Sequence, residues 1–507
     1  MHHPTLLQLA AMLATSALSA AAVAAPTTGD DVNALAGRID ARVTARWHDA
    51  NVKPAAPADD ATYLRRVYLD LVGHAPDVTE VRDFLDDPDP DKRARLVESL
   101  LKTDAHAHHF ASAWRRIMLP RGTAAGPTPI ETWLQQQFRS NTPYDRMVRE
   151  VLTAPSTDPG LSGFYQALEN KPENVAAAAS RIFLGVRLEC AQCHNHPTAT
   201  WKRQQFWEFA AFFSEVRAPG QAAANRPGEL TIPNTTKTVR ARLLLGKTPA
   251  LEAGKDPREV VAAWVTQPDN PFFARAAVNR VWAHFFGVGL IEPVESLGED
   301  SQASHPELLD DLAKAFAASK FDLRFLIRTI VASKVYSLSS ELSAPGQDDP
   351  HLFARAAVRG LTAEQLYDSL GVVIGTGAPA GRVPAIGVAN FPGRADFLAR
   401  FDSTDNPVDA HTSILQALHL MNGKPIAEAT SLQGNHYLRS VAEAKGRTSA
   451  QRIEELYLLT LARKPRPEES ARLAKYVDSG GPRGDKALAL TDVFWALLNS
   501  SEFALNH

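Results

Sequence analysis

The sequence predicts a mainly α protein: two packed helical domains joined by an irregular Pro/Gly-rich segment, with little or no sheet. Three observations predict it. Apolar residues recur three and four apart along most of the chain, the spacing that lines one face of a helix. Helix starts are written repeatedly in capping residues. No series of short alternating segments bounded by turn residues marks a sheet. With 507 residues, 45% of them hydrophobic, the chain can bury the core of two or three domains.

The first element is residues 4 to 24, an uncharged, apolar stretch ending in Ala22-Val23-Ala24, a small-x-small pattern that signal peptidase reads. Residues 1–24 are therefore expected to be a signal peptide that exports the chain to the periplasm or cell surface. Lys and Arg are missing before the apolar run, so an uncleaved anchor or a buried first helix stays open as the alternative. Ala, Ser and Thr dilute the run and no second one follows, so no stable membrane span is expected after cleavage.

The helices follow. Asp89-Pro90 is read as the cap and first residue of a helix through Leu96, Leu100 and Leu101, Pro being tolerated where its missing N–H has no intrahelical partner anyway. Asp256-Pro257-Arg258-Glu259, Ser304-His305-Pro306-Glu307, Thr362-Ala363-Glu364-Gln365 and Thr448-Ser449-Ala450-Gln451 have capping-box spacing. The stretches they open carry core faces such as Phe273, Ala277, Val281 and Phe285, or Leu308, Leu312 and Phe316. Between residues 217 and 256, Pro219, Gly220, Pro227, Gly228, Pro233, Gly246, Pro249 and Gly254 interrupt any long helix. The expected organisation is an N-terminal domain over 30–217, a linker over 218–250 with a short extended piece near Thr238 to Leu245, and a C-terminal domain over 251–507. A second Gly- and Pro-rich stretch, 371–407, is expected to form a long loop on the second domain.

Charge and motifs exclude several functions. A formal charge of −3 from 54 basic and 57 acidic residues gives no basic excess for neutralising phosphates, so nucleic acid is not an expected partner. A Gly-rich phosphate loop, a nucleophile elbow and a His-Glu-x-x-His motif are all missing, which leaves NTPase, α/β-hydrolase and zincin readings without support.

The chemistry concentrates in one place. The chain's two cysteines stand three apart with a histidine directly after, as Cys190-Ala191-Gln192-Cys193-His194, an arrangement that random placement gives in roughly one case in eight thousand. Two thiols at this spacing can each add to a haem vinyl group, and the next residue's imidazole then reaches the iron as proximal ligand. Haem c is accordingly the leading cofactor, held by Cys190, Cys193 and His194. Two alternatives remain open: a zinc or other transition-metal site using the cysteines with His194 or His196, and a Cys190–Cys193 disulfide without cofactor. His196 is too close in sequence to reach the opposite haem face and is read as orienting His194. No Met lies between Met147 and Met421, so a small standalone cytochrome c domain is excluded. The distal position is left to Met421, His411 or His419, or to no ligand, which would leave the iron open. His106, His108 and His109, at a helix start, are read as solvated surface residues, and His284 as a satisfied core histidine. The motif is expected at the end of a helix beginning near Pro172, in a cleft.

With these residues in view, the mature chain resembles the paired planctomycete cytochrome-like proteins, domains of unknown function 1549 and 1553. The first half carries the run Arg65-Arg66-Val67-Tyr68-Leu69-Asp70-Leu71-Val72-Gly73, then Pro143-Tyr144-Asp145, and then the cysteine motif leading into His196-Pro197, Trp201 and Phe212-Phe213. The second carries Asn270-Pro271-Phe272-Phe273-Ala274-Arg275, Asn279-Arg280-Val281-Trp282, His305-Pro306-Glu307-Leu308-Leu309, Leu361 to Leu366, Met421-Asn422-Gly423 and Trp495 to Phe503. The resemblance implies no settled activity, and the family's cytochrome-like name rests largely on the same Cys-x-x-Cys-His motif. It implies a neighbouring secreted sulfatase-like protein as a partner. Two functions are therefore expected as alternatives: a redox or electron-transfer protein serving polymer breakdown with a redox partner, or a non-redox scaffold stapled by metal or disulfide that docks the sulfatase-like protein. Where the family pattern has a His-Trp and an acidic residue, this chain has Ala113-Trp114-Arg115-Arg116, which puts in doubt any role of that acidic segment.

Overall fold

Spacing at three and four becomes helix through most of the computed structural model, which describes residues 30–119, 128–155, 157–195, 200–217, 226–252, 254–298, 302–374, 394–401, 426–427 and 430–507. The N-terminal half holds α1 (Asp30–Asp49), α2 (Asp60–Leu71), α3 (Val78–Asp86), α4 (Lys92–Leu100), α5 (Asp104–Met118), α6 (Pro129–Arg139), α7 (Tyr144–Thr153), α8 (Ser162–Ala167), α9 (Pro172–Leu184) and α10 (Arg203–Ala210). A short hairpin follows, β1 (Glu229–Thr231) antiparallel to β2 (Thr238–Arg240). The C-terminal half holds α11 (Pro257–Val265), α12 (Phe273–Phe286), α13 (Pro306–Ala318), α14 (Leu323–Val331), β3 (Arg359–Gly360), α15 (Ala363–Ile374), α16 (Arg394–Phe401), α17 (His436–Glu443), α18 (Ser449–Leu461), α19 (Pro467–Asp478), α20 (Lys486–Leu498), α21 (Ser501–Ala504) and β4 (Leu505–Asn506). The protein is mainly α, and its strands form two small two-stranded sheets among the described residues.

Capping explains several boundaries and corrects two. Thr362 and Gln365 bond reciprocally through side chain and backbone, as do Thr448 and Gln451, and Asp256 caps α11 by accepting from the Arg258 N–H at 2.9 Å. The Asp89-Pro90 start is wrong by two residues. Asp89 accepts from the Asp91 N–H at 2.8 Å and so folds a turn, and α4 begins at Lys92. Ser304 is not a cap either. Its hydroxyl donates to the Leu290 carbonyl at 3.3 Å, which leaves His305 in the cap position of α13 without a side-chain cap bond. In the stretch expected as a loop over 371–407, α15 continues to Ile374 and residues 394–401 form α16.

The two halves share one apolar core. α1 packs on α13 and α14, α7 on α11 and α9 on α12, so helices of the first half complete the interior of the second. The segment between the halves is also built in. Val239, Leu243 and Leu244 are buried, and the Arg242 N–H donates to the Glu208 carbonyl of α10 at 3.0 Å. Among the described residues, no helix is long and apolar enough to cross a membrane.

A buried polar hub ties the halves together. Asp70 of α2 is 1% exposed and accepts from the Arg359 guanidinium at 2.8 and 3.0 Å, the Tyr336 hydroxyl at 2.8 Å and the Asn506 amide at 2.7 Å. Pairing of β3 with β4 sets Arg359 opposite Asn506, so the chain's last strand delivers one of these donors. The neighbouring Arg65 donates to the carbonyls of Thr460 and Phe503, and Arg66 to those of Tyr336 and His507. Most of the polar residues in the Arg65 to Gly73 run thus serve one purpose. Burial would be costly for these charges unless each met fixed partners, and the partners lie in the other half.

Candidate functional site

The cysteine motif is placed by the end of α9. Apolar Val175, Ala179, Ile182 and Phe183 bury that helix, and Gly185 stops it in the left-handed region at φ 63°, as a glycine after a helix commonly does. The Gly185 carbonyl accepts from the Leu297 N–H at 2.7 Å, which pins the exit to the second half. A β-carbon there would lie 2.7 Å from Leu297 Cδ1 and 3.3 Å from Ala276 Cβ. Gly185→Ala is therefore expected to cost roughly 2–4 kcal/mol, the left-handed penalty and the crowding together. A lowered urea midpoint would show it, and Leu297→Ala in the same chain should cost less than the two changes added, since it empties the crowded space.

Beyond Gly185 the chain turns into a short 3-10 helix, Glu189–Gln192, which carries Cys190. Ala191 is fully buried and faces inward, while Cys190, Cys193 and His194 are exposed. The motif therefore lies open on the surface and not recessed in a cleft. Both cysteines are free thiols. The turn is held from below by α10. The Trp207 indole N–H donates to the Gln192 carbonyl at 3.0 Å, Arg203 Nε donates to the same oxygen at 3.3 Å, and the Arg203 N–H donates to Asn195 Oδ1 at 3.0 Å.

His194 has a defined tautomer. Its Nδ1 lies 2.7 Å from the Asn195 carbonyl, and a carbonyl oxygen only accepts, so Nδ1 carries the proton. Nε2 then holds the lone pair that a metal takes, the arrangement usual for a ligating histidine. Charge surrounds the turn in paired form. Arg181 reaches Glu189 at 3.4 Å and Glu295 at 2.9 Å, and Arg187 and Arg280 reach Glu295 at 3.5 and 3.6 Å. Burial pushes the Glu189 carboxyl above the usual carboxylate range.

Among the described residues, no group of three or more His, Cys, Asp or Glu side chains is placed to hold a metal. His196, His411, His419 and Met421, like the expected signal over 1–24, lie outside the described residues. Sequence reasoning missed Arg203, Asn195 and Trp207, which belong to no metal-site pattern and act through backbone oxygens and a side-chain amide.

The α5 histidines are not solvated. His106 is 1% exposed and donates from Nδ1 to the Leu71 carbonyl at 2.9 Å, and His109 is also buried. The signal was present in the sequence, because His106, His109, Phe110 and Ala113 follow the core period of the helix. His284 is the satisfied histidine expected, with Nε2 2.9 Å from the Asp70 carbonyl. Arg115 and Arg116, where the acidic pattern was missing, find their acids on other helices. Arg115 lies 3.4 Å from Glu131 of α6 and 3.7 Å from Glu364 of α15, and Arg116 also pairs with Glu364.

Fold and site together define a class: a mainly helical chain of two halves joined through a buried Asp-Arg hub, with an exposed Cys-x-x-Cys-His turn on the first. Residues 38–218 match PSCyt2, a protein of unknown function (DUF1549), and residues 257–384 match PSD1, a protein of unknown function (DUF1553). The chain belongs to this paired family. No curated protein and no solved structure matches it.

Proposed function

We propose that the chain is an exported c-type haem-binding protein with a redox or electron-transfer role at the periplasm or cell surface. The observation that carries the reading is the His194 tautomer beside two exposed free thiols, all within five residues of a protein-held turn. That donor set fits a covalently attached haem. Each cysteine thiol would add across a vinyl C=C, with sulfur bonding one carbon and hydrogen ending on the other, so nothing leaves and no oxidant is needed. His194 Nε2 would ligate the iron. Bound haem supplies one-electron chemistry, and the chain supplies attachment, ligand orientation and an exposed edge from which a partner is reached.

Absorption and intact mass of the denatured protein test this. Protein produced with the cytochrome c maturation machinery should keep a Soret band and the haem mass after unfolding, because thioethers survive while coordinate bonds do not. A colourless protein holding one zinc per chain, with thiols titratable only after chelation, would replace this reading with a metal-stapled scaffold. A mass two units below the reduced chain without haem or zinc would mark a Cys190–Cys193 disulfide.

A further inference from the structure

A second cluster of ionisable groups lies apart from the cysteine turn, where the two family regions meet. His74 follows α2, His108 sits on α5, Glu131 on α6, Glu364 and Asp368 on α15, and Arg394 on α16. Asp368 is buried, and Arg394 grips it with two N–H groups at 3.1 and 3.3 Å. His74 is 7% exposed and donates from Nδ1 to the Ala75 carbonyl at 2.8 Å, which leaves Nε2 as a bare acceptor. Nε2 of His74 and of His108 are both buried and without a hydrogen-bond partner among the described residues. The Ala75 N–H donates to Ser369 Oγ at 3.1 Å, which sets the His74 segment against α15 beside Asp368, and the Asp368 charge acts on both imidazoles, each with a proton site open.

We propose that this seam is a proton-operated latch, in which proton uptake by His74 and His108 transfers Asp368 from Arg394 to the imidazolium groups and releases α16. Charge balance is the driving force. Glu131, Glu364 and Asp368 offset Arg115, Arg116 and Arg394 while both histidines are neutral, and each added proton leaves an excess cation in a buried space. Arg394 is the cation that must yield, because its carboxylate is the one that attracts both His74 and His108. Among the described residues, α16 has eight residues and buries Phe397 and Leu398 beside this ion pair.

The other groups facing the pair do not replace Asp368. Asp77 attracts His74 too, but its carboxylate is tied to the α3 N-terminus, accepting from the Glu80 N–H at 2.9 Å. Glu131 and Glu364 attract His108 but bind Arg115 and Arg116. Burial holds His109 well below the usual imidazole range, and His284, Arg116, His106 and His108 around it add to that, so it stays neutral. The sign follows from burial. Desolvation holds His74 and His108 below the usual imidazole range, so the latch is shut at neutral pH and opens only below about pH 6.5.

Hydrogen exchange of the whole protein, corrected for intrinsic rates and followed by mass spectrometry from about pH 7.5 to about pH 5, tests the latch. Protection of the peptide covering α16 should fall by roughly tenfold or more while α12 and α18 stay protected, and it should return at neutral pH. His74→Gln with His108→Gln should remove the response, and Asp368→Asn should leave α16 unprotected throughout. If the double variant fails to fold, His108→Gln alone, at a half-buried position, should at least shift the midpoint. A response that persists unshifted in the histidine variants, or one that appears only with loss of total helicity, overturns the proposal.

Discussion

Asp70→Ala is expected to lower the stability of the whole chain by about 3–5 kcal/mol, because it strands the buried Arg359 guanidinium beside the Tyr336 hydroxyl and the Asn506 amide. The loss exceeds that of one hydrogen bond, since several donors from the second half lose their acceptor at once. Urea unfolding should show a lower midpoint. If the two halves then separate in the transition, the slope should fall as well, because the single cooperative unit is broken. Asp70→Asn keeps the shape and an acceptor oxygen but removes the charge, so it should fall between the wild type and the alanine variant. The contrast is Arg95→Ala. Arg95 forms its ion pairs with Asp87 and Asp89 on the surface, where solvent screens them, and the change should leave the urea midpoint nearly unmoved. Equal losses at Asp70 and Arg95 would remove the hub from the account of how the halves hold together.

Helix periodicity is a local property, and it was readable wherever caps and core faces agreed: α12, α13, α15 and α18 stand where Phe273, Leu308, Thr362 and Thr448 announce them. What was not readable is the long-range pairing that decides how a polar residue is used. Asp70 and Arg359 are 289 residues apart, and nothing in either segment names the other. The α5 histidines were misread for a related reason. A polar residue type outweighed its position, although His106 and His109 share the spacing of Phe110, and the Leu71 carbonyl that makes His106 burial tolerable belongs to a different helix. At the cysteine turn the grouping of Cys190, Cys193 and His194 was legible because the three lie within five residues. Its support was not, because Trp207 and Arg203 act on a backbone carbonyl that carries no side-chain signature.

The second large effect is expected at that turn. On the proposed attachment, covalent haem should fall to nothing after denaturation with Cys190→Ala and Cys193→Ala together, since each thioether would need one of these sulfurs. Either single change should leave haem attached through the remaining bond. His194→Ala should behave differently. Both sulfurs remain, so attachment would still be possible, but the proposed iron ligand is gone and the spectrum and reduction potential should change. Folding should be nearly indifferent to all three changes, because Cys190, Cys193 and His194 are exposed and the turn is held through Ala191 and the Gln192 carbonyl. This separation of cofactor loss from stability distinguishes a haem site from a structural metal site. Loss of a structural zinc takes folding energy with it, so the double cysteine variant would then unfold at markedly lower urea. Retention of haem mass in the double variant would place attachment elsewhere and remove Cys190 and Cys193 from the site.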